Sequence, residues 1–166
     1  MSTIGTHATE VVADPDVPLI RTTREFDAPA AKVFRAHTDP ELFARWNGPR
    51  GTETRIGHYD CRAGGSYRYQ HIYGGGEFTA WGCFHEVRAS ELIVQTFGFD
   101  GAGDGVALER FVFEDLGDGR TRLTLTSLVD SFQTRDAIVA SGMEYGVMVG
   151  YERLVELLAD HRSGPA

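Results

Sequence analysis

The sequence contains few of the residues that would cross-link the chain or place it in a membrane. Its 166 residues include only two cysteines, Cys61 and Cys83, which are too few for a disulfide framework. No charged segment followed by an apolar one opens the chain, so no signal peptide is predicted. No apolar run reaches the roughly 18 residues that a membrane span needs. We therefore expect a cytoplasmic protein without a membrane span.

The sequence also lacks the marks of several ligand classes. Its formal net charge is -8, without a basic stripe, which opposes binding to nucleic acid. It contains no phosphate-binding loop, no GxGxxG motif and no nucleophile elbow. The pairs His58/Asp60 and His85/Glu86 have no third ligand at a known metal spacing. These absences predict no cofactor, no metal and no nucleic-acid partner.

What the sequence does contain predicts one α+β domain. The length suits a single domain with its own core, which we place at residues 19–161 between a flexible lead-in (1–18) and a flexible tail (162–166). Alternating apolar residues and turn signals predict strands over residues 19–26, 52–61, 66–73, 77–87, 91–99, 106–115 and 121–129. Pro29 and the pair Asp39-Pro40 mark the starts of two short helices after the first strand.

A long amphipathic helix is predicted over residues 134–160. Its apolar residues recur in steps of three and four, at Val139, Met143, Val147, Tyr151, Leu154 and Leu158. Gly142, Gly146 and Gly150 also recur on it, although a glycine inside a helix costs about 1 kcal/mol. Either the helix approaches its neighbours closely there, or it is weakened near the mouth of a cavity. The sheet must bury one face, and this helix is the obvious cover.

The more apolar strand faces are expected to point toward the helix and to enclose a pocket. The predicted ligand-binding residues are Trp46, Tyr67, Tyr69, His71, Gln95, Phe97, Glu109, Phe111, Phe113, Ser127, Met143, Val147 and Tyr151. A bulge at Gly65 or Gly82 would exchange the two faces of the strand that follows. An apolar pocket with a few polar groups is typical of a ligand site.

Two of these residues, His71 and Glu109, allow two interpretations. A buried glutamate needs a partner or a raised pKa, and His71 is one candidate partner. A Glu–His pair performs acid–base chemistry, so the two are the candidate catalytic residues. In the other interpretation, Glu109 lies in water at a strand end and His71 is an ordinary wall residue.

Several segments resemble one protein superfamily when they are taken in order. They are residues 26–46 (FDAPAAKVFRAHTDPELFARW), 60–68 (DCRAGGSYR), 82–87 (GCFHEV), 120–125 (RTRLTL), 142–146 (GMEYG) and 151–154 (YERL). Together they are similar to the SRPBCC superfamily of START-like, helix-grip proteins, in the branch related to the activator of the heat-shock-protein-90 ATPase. The resemblance implies a curved antiparallel sheet of about seven strands wrapped around a long C-terminal helix, with a cavity for a hydrophobic ligand. One departure is Val147, where the family often has tryptophan.

Three functions follow as hypotheses. The first is binding of a small hydrophobic or aromatic molecule between sheet and helix, without catalysis. The second is a cyclase-like or dehydratase-like enzyme that uses His71 and Glu109. The third is a co-chaperone-like domain that binds a protein partner. The strand at residues 52–61 is also a candidate sheet edge for pairing in a homodimer.

Overall fold

The computed structural model describes residues 7–160, and all the strands in this range join in one antiparallel sheet. The elements are β1 (Glu10–Ala13), β2 (Leu19–Phe26), α1 (Ala30–Thr38), α2 (Pro40–Trp46), β3 (Glu53–Tyr59), β4 (Ser66–Tyr73), β5 (Gly76–Arg88), β6 (Leu92–Phe99), β7 (Ala107–Gly117), β8 (Arg120–Leu128), α3 (Phe132–Ala140) and α4 (Met143–Ala159). The strands are ordered β1-β2-β8-β7-β6-β5-β4-β3, so the sheet is not closed. The predicted helix-grip fold is confirmed.

The sheet has one strand more than predicted. Strand β1 lies in the expected lead-in and pairs with β2, from Glu10 opposite Thr23 to Ala13 opposite Ile20. Its four residues are too few to show an alternating pattern, so the sequence did not predict this strand. The other parts of the proposed flexible lead-in and tail, residues 1–6 and 162–166, lie outside the described residues. Strand β3 forms the other edge, so homodimer pairing there stays a prediction.

The two short helices begin where proline places them. In α2, Pro40 occupies the first turn and the Asp39 carboxylate accepts the backbone N–H groups of Glu41 and Leu42, which satisfies groups that a helix start leaves free. In α1, Pro29 is the capping residue and the helix begins at the next residue, Ala30. The Trp46 indole N–H donates to the Ala36 carbonyl at 2.8 Å and ties α2 to α1.

The prediction of one continuous C-terminal helix is wrong at residues 141–142. Gly142 adopts a left-handed conformation with φ of 84°, which glycine reaches without steric cost. Helix α3 therefore ends at Ala140, and α4 begins at Met143. The apolar spacing runs through the break unchanged, so periodicity alone did not reveal it.

The core lies between the sheet, α1 and the C-terminal half of α4. Phe26, Val33, Leu123 and Leu154 are all almost completely buried there. Toward its N-terminal end, α4 leaves this core and faces an open space instead. Tyr151 stands at the transition, because its ring meets Phe26 edge-on at 5.6 Å and also borders the space.

Candidate functional site

A cavity of about 740 Å³ lies between the concave face of the sheet, the segment 47–52 and the N-terminal half of α4. Eleven of the predicted ligand-binding residues line it: Trp46, Tyr67, Tyr69, His71, Gln95, Phe97, Glu109, Phe111, Met143, Val147 and Tyr151. Neither Gly65 nor Gly82 carries a register shift, so neither glycine exchanges the faces of the strand that follows. The register shifts of β3 and β5 fall between Ile56 and His58 and between Phe84 and Glu86.

The other two predicted residues, Phe113 and Ser127, do not line the cavity. The Phe113 ring is buried in the core, where it meets Phe34 and His37 edge-on at 5.3 Å each. Ser127 lies opposite Glu109 in the β7–β8 pair and reaches its carboxylate with a side-chain hydrogen bond. Ser127 therefore lies outside the cavity wall and stabilises Glu109, which is part of that wall.

The segment 47–52 forms a cavity wall that sequence reasoning missed. In the sequence, a run such as Asn47-Gly48-Pro49 is typical of the end of a helix, yet its residues line the cavity. Gly48 has φ of 102°, and a Cβ there would lie 2.3 Å from the His71 imidazole. Arg153 on α4 holds the segment by donating to the Gly48 carbonyl at 2.8 Å.

The recurring glycines of the C-terminal helix have different local reasons. Gly142 ends α3, as described above. A Cβ at Gly150 would lie 3.7 Å from the backbone nitrogen of Gly48, in ordinary contact, so the helix and the segment 47–52 come close there. Gly146 faces Pro49 across the cavity rim. Only Gly142 has a backbone conformation that favours glycine, whereas a Cβ at Gly146 or Gly150 would fit in ordinary contact.

A chain of hydrogen bonds crosses the cavity wall from β4 to β8. The Tyr67 hydroxyl donates to the Thr96 carbonyl at 2.6 Å. The Gln95 amide donates to the Tyr67 hydroxyl at 3.3 Å and to the Glu109 carboxylate at 3.0 Å. Gln95 reaches Glu109 because the two residues are directly opposite in the β6–β7 pair. The strand register therefore fixes where the carboxylate stands.

Glu109 is the acidic side chain of this wall. Desolvation by the surrounding protein raises its pKa to about 7, and the hydrogen bonds from Gln95 and Ser127 oppose that rise. Burial disfavours the charged form of a carboxyl group, whereas donors favour it. Glu109 therefore changes its charge near neutral pH, which differs from the expectation that it lies in water at a strand end.

His71 does not pair with Glu109, contrary to the catalytic hypothesis. Among residues 7–160 no hydrogen bond or ion pair joins them, and β5 and β6 separate their strands. The His71 ring instead contacts Tyr69 and Phe78, with centroids 5.1 and 5.9 Å away. Burial, and secondarily the charge of Arg153, lowers its pKa to about 4. His71 is thus a neutral wall residue near pH 7.

A second histidine in the wall was not predicted. His37 is 4% exposed, and its Nδ1 donates to the Val33 carbonyl at 2.8 Å, which leaves Nε2 as the unprotonated acceptor. Nε2 has no partner among the described residues. Burial lowers the pKa of His37 to about 4. Both cavity histidines are therefore uncharged at neutral pH.

Three other features of the described residues bear on ligand class. Within residues 7–160, no cluster of three or more His, Cys, Asp or Glu side chains could hold a metal ion. Cys61 and Cys83 are both free thiols, and Cys83 is exposed on β5. In the described range no helix is long and apolar enough to cross a membrane.

Solved structures share this fold over nearly the whole chain. A protein from Chromobacterium violaceum is 27% identical with a TM-score of 0.76, covering 86% of this chain and 98% of its own. One from Mycobacterium smegmatis is 23% identical with a TM-score of 0.82, covering 90% and 96%. One from Arthrobacter aurescens is 24% identical with a TM-score of 0.82, covering 95% and 98%.

Family comparison is more specific than these structural likenesses. No curated protein matches the sequence. The family model described as "Activator of Hsp90 ATPase homolog 1-like protein" matches residues 27–159, which include α1, α2, β3 to β8 and both C-terminal helices. The chain therefore belongs to the family of proteins similar to homolog 1 of the activator of Hsp90 ATPase.

Proposed function

We propose that this protein binds a small hydrophobic or aromatic molecule in the cavity between the sheet and α4. The observation that carries the proposal is the cavity itself, about 740 Å³ and walled largely by aromatic side chains. Binding sites for small molecules are typically apolar clefts of about 300–1,000 Å³ with a few placed polar groups. The volume and the composition of the wall both fall in that description.

The wall is already ordered by bonds to the backbone. Trp46 and Tyr67 donate to backbone carbonyls, as described above, and the Tyr59 hydroxyl donates to the His37 carbonyl at 2.6 Å. These rings therefore have their polar ends satisfied and present carbon surface to the cavity. A site that is formed before binding loses less conformational freedom when a ligand enters.

Native mass spectrometry of the purified protein, followed by equilibrium dialysis with 1-pyrenemethanol, tests the proposal. We expect a co-purified small molecule or saturable binding of the probe. Val147→Trp places a much larger side chain in the cavity wall and should weaken binding by about tenfold or more, because it occupies space and leaves the probe with less buried area. The matched control is Val155→Trp on the same helix, since Val155 is exposed and not part of the cavity wall. Absence of both co-purified molecule and probe binding would contradict the proposal, as would equal effects of the two variants.

Acid–base catalysis is a second candidate function, with one observation in its favour. Glu109 has a pKa of about 7 in an aromatic cavity, and a general acid or base works best when its pKa lies near the working pH. The cyclase-like or dehydratase-like alternative would then depend on Glu109 without His71. Chemical conversion of a bound compound by the wild type, lost in Glu109→Gln and retained in His71→Gln, would support it.

A chaperone-related role rests on the family description alone. A change in the ATPase rate of an Hsp90-type chaperone on adding this protein would support that role. If that change survived Val147→Trp, the cavity would not be its cause.

A further inference from the structure

On the premise that the cavity binds a hydrophobic molecule, we propose that this molecule carries a protonated amine, which the Glu109 carboxylate and the surrounding aromatic rings hold together. The inference concerns the charge of the ligand, which the binding proposal leaves open. It rests on the balance of charged groups in the wall, on the free acceptor capacity of Glu109 and on the rings near it.

When Glu109 is ionised, the charge balance inside the cavity is negative. The two histidines of the wall are neutral, as shown above. Arg50 lies at the exposed rim, where its guanidinium is hydrogen-bonded to Glu156. The Arg153 guanidinium is turned toward carbonyls of the segment 45–49. Glu109 is therefore an acid without a basic side chain beside it in the described part of the chain.

Arg24 on β2 is the remaining buried cation near this region. It bonds to Thr9 through Nη1, and its charge lowers the pKa of Tyr151 only as a minor influence beside burial. Arg24 does not line the cavity. It also does not contribute to the shifted pKa of Glu109, for which burial and the bonds from Gln95 and Ser127 account.

Glu109 has room for a further donor. An ionised carboxylate offers about four lone-pair sites, and Gln95 and Ser127 supply two donors from the neighbouring strands. Both donors lie within the sheet, on either side of β7. The unused acceptor capacity therefore remains for a group inside the cavity, and a positively charged donor would match it best.

Aromatic rings line the cavity in which Glu109 would hold such a cation. Tyr67, Tyr69 and Tyr151 line the same cavity as Glu109, and the Gln95 amide links the Tyr67 hydroxyl to the Glu109 carboxylate. Trp46 lies tilted against Tyr151 at 6.1 Å, and it too lines the cavity. The faces of such rings attract organic cations. A ligand that carries a carboxylate would bind less tightly, since Glu109 would repel it.

Three probes with one ring system test the inference: 1-pyrenemethylamine, 1-pyrenemethanol and 1-pyreneacetic acid, measured by equilibrium dialysis at pH 7.5. We expect the amine to bind about tenfold tighter than the alcohol, since a charge-assisted hydrogen bond is worth about that factor or more, and the acid to bind weakest. Glu109→Gln should remove the preference for the amine. Glu77→Gln, an exposed residue of β5, removes one negative charge outside the cavity and should keep the preference.

The outcomes separate this inference from the binding proposal. If the alcohol binds but the amine is no tighter, or if Glu109→Gln keeps the preference, the inference is overturned and the cavity still binds hydrophobic molecules. If none of the probes binds and nothing co-purifies, the binding proposal fails with it. Alcohol binding by Glu109→Gln reports whether that variant still has an intact cavity.

The pH dependence of wild-type binding gives a second, variant-free test. Glu109 is mostly protonated at pH 6 and mostly ionised at pH 8, since its pKa is about 7, whereas His37 and His71 titrate near 4. The affinity for the amine should therefore rise severalfold from pH 6 to pH 8, up to about tenfold, while the affinity for the alcohol stays level. A flat profile for the amine would overturn the inference.

Discussion

Glu109→Gln should make the folded protein more stable at pH 8 and leave its stability nearly unchanged at pH 4.5. The pKa of Glu109 is raised from 4.5 to about 7 in the folded chain, so the folded state binds a proton more tightly than the unfolded state does. Stability falls with rising pH wherever the folded state holds more protons. The loss therefore develops between about pH 4.5 and pH 7 and is complete above pH 7.

The size of the effect follows from the shift. At about 1.36 kcal/mol for each pH unit, a rise from 4.5 to about 7 corresponds to about 3 kcal/mol at pH 8, as an upper value. Glutamine has nearly the same shape, can still accept from Gln95 and never becomes charged, so it does not lose this free energy. For a chain of this length, each kcal/mol moves the melting temperature by roughly 2–4 °C.

The assay is urea unfolding of both proteins at half-unit steps from pH 4.5 to pH 8.5, followed by tryptophan fluorescence. The quantity of interest is the difference in unfolding free energy, in which contributions from all other titrating groups cancel. Glu77→Gln is the control for the loss of one negative charge. The reasoning is refuted if the Glu109→Gln difference does not change with pH, or if that variant is the less stable protein at pH 8.

Two further substitutions test the packing around the cavity. Gly48→Ala should lower the free energy of unfolding in urea by about 2 kcal/mol or more, because its left-handed backbone disfavours a side chain and the new Cβ would overlap the His71 ring. The control is Gly51→Ala, which has a similar φ of 83° with open space around it and should cost only about 1–2 kcal/mol. Equal losses in the two variants would contradict the overlap. Trp46→Phe should lower the free energy of unfolding by about 1 kcal/mol for the lost hydrogen bond to the Ala36 carbonyl, plus a loss from packing. An unchanged urea midpoint would show that this bond does not stabilise the contact between α1 and α2.

Much of the fold was readable from local chemistry. The Asp39-Pro40 pair predicted a helix start because proline fits the first turn and aspartate caps it. Strand alternation placed Tyr67, Tyr69 and Glu109 on the inner face, where the structure has them. Both predictions depend only on a residue and its near neighbours in sequence, so they did not require knowledge of the tertiary structure.

The features that were missed depend on distance in space. The expected His71–Glu109 pair required knowing how far apart two strands stand across a curved sheet, which the strand patterns do not encode. The wall formed by the segment 47–52 depends on the position of α4, more than 90 residues later in the chain. Gly142 could be recognised as unusual, but the apolar spacing that runs through it gives no sign of its left-handed conformation.

Helix α4 has two ends with different surroundings, and this has a consequence for how relatives of this protein can diverge. Leu154 and Leu157 are buried in the core, whereas Met143, Gly146 and Val147 border the cavity. Exchanges at Met143 and Gly146 change the shape of the cavity without removing core contacts, whereas Val147 also packs against the buried core. A lineage can therefore acquire a new ligand on this helix while its folding stability is maintained two turns away.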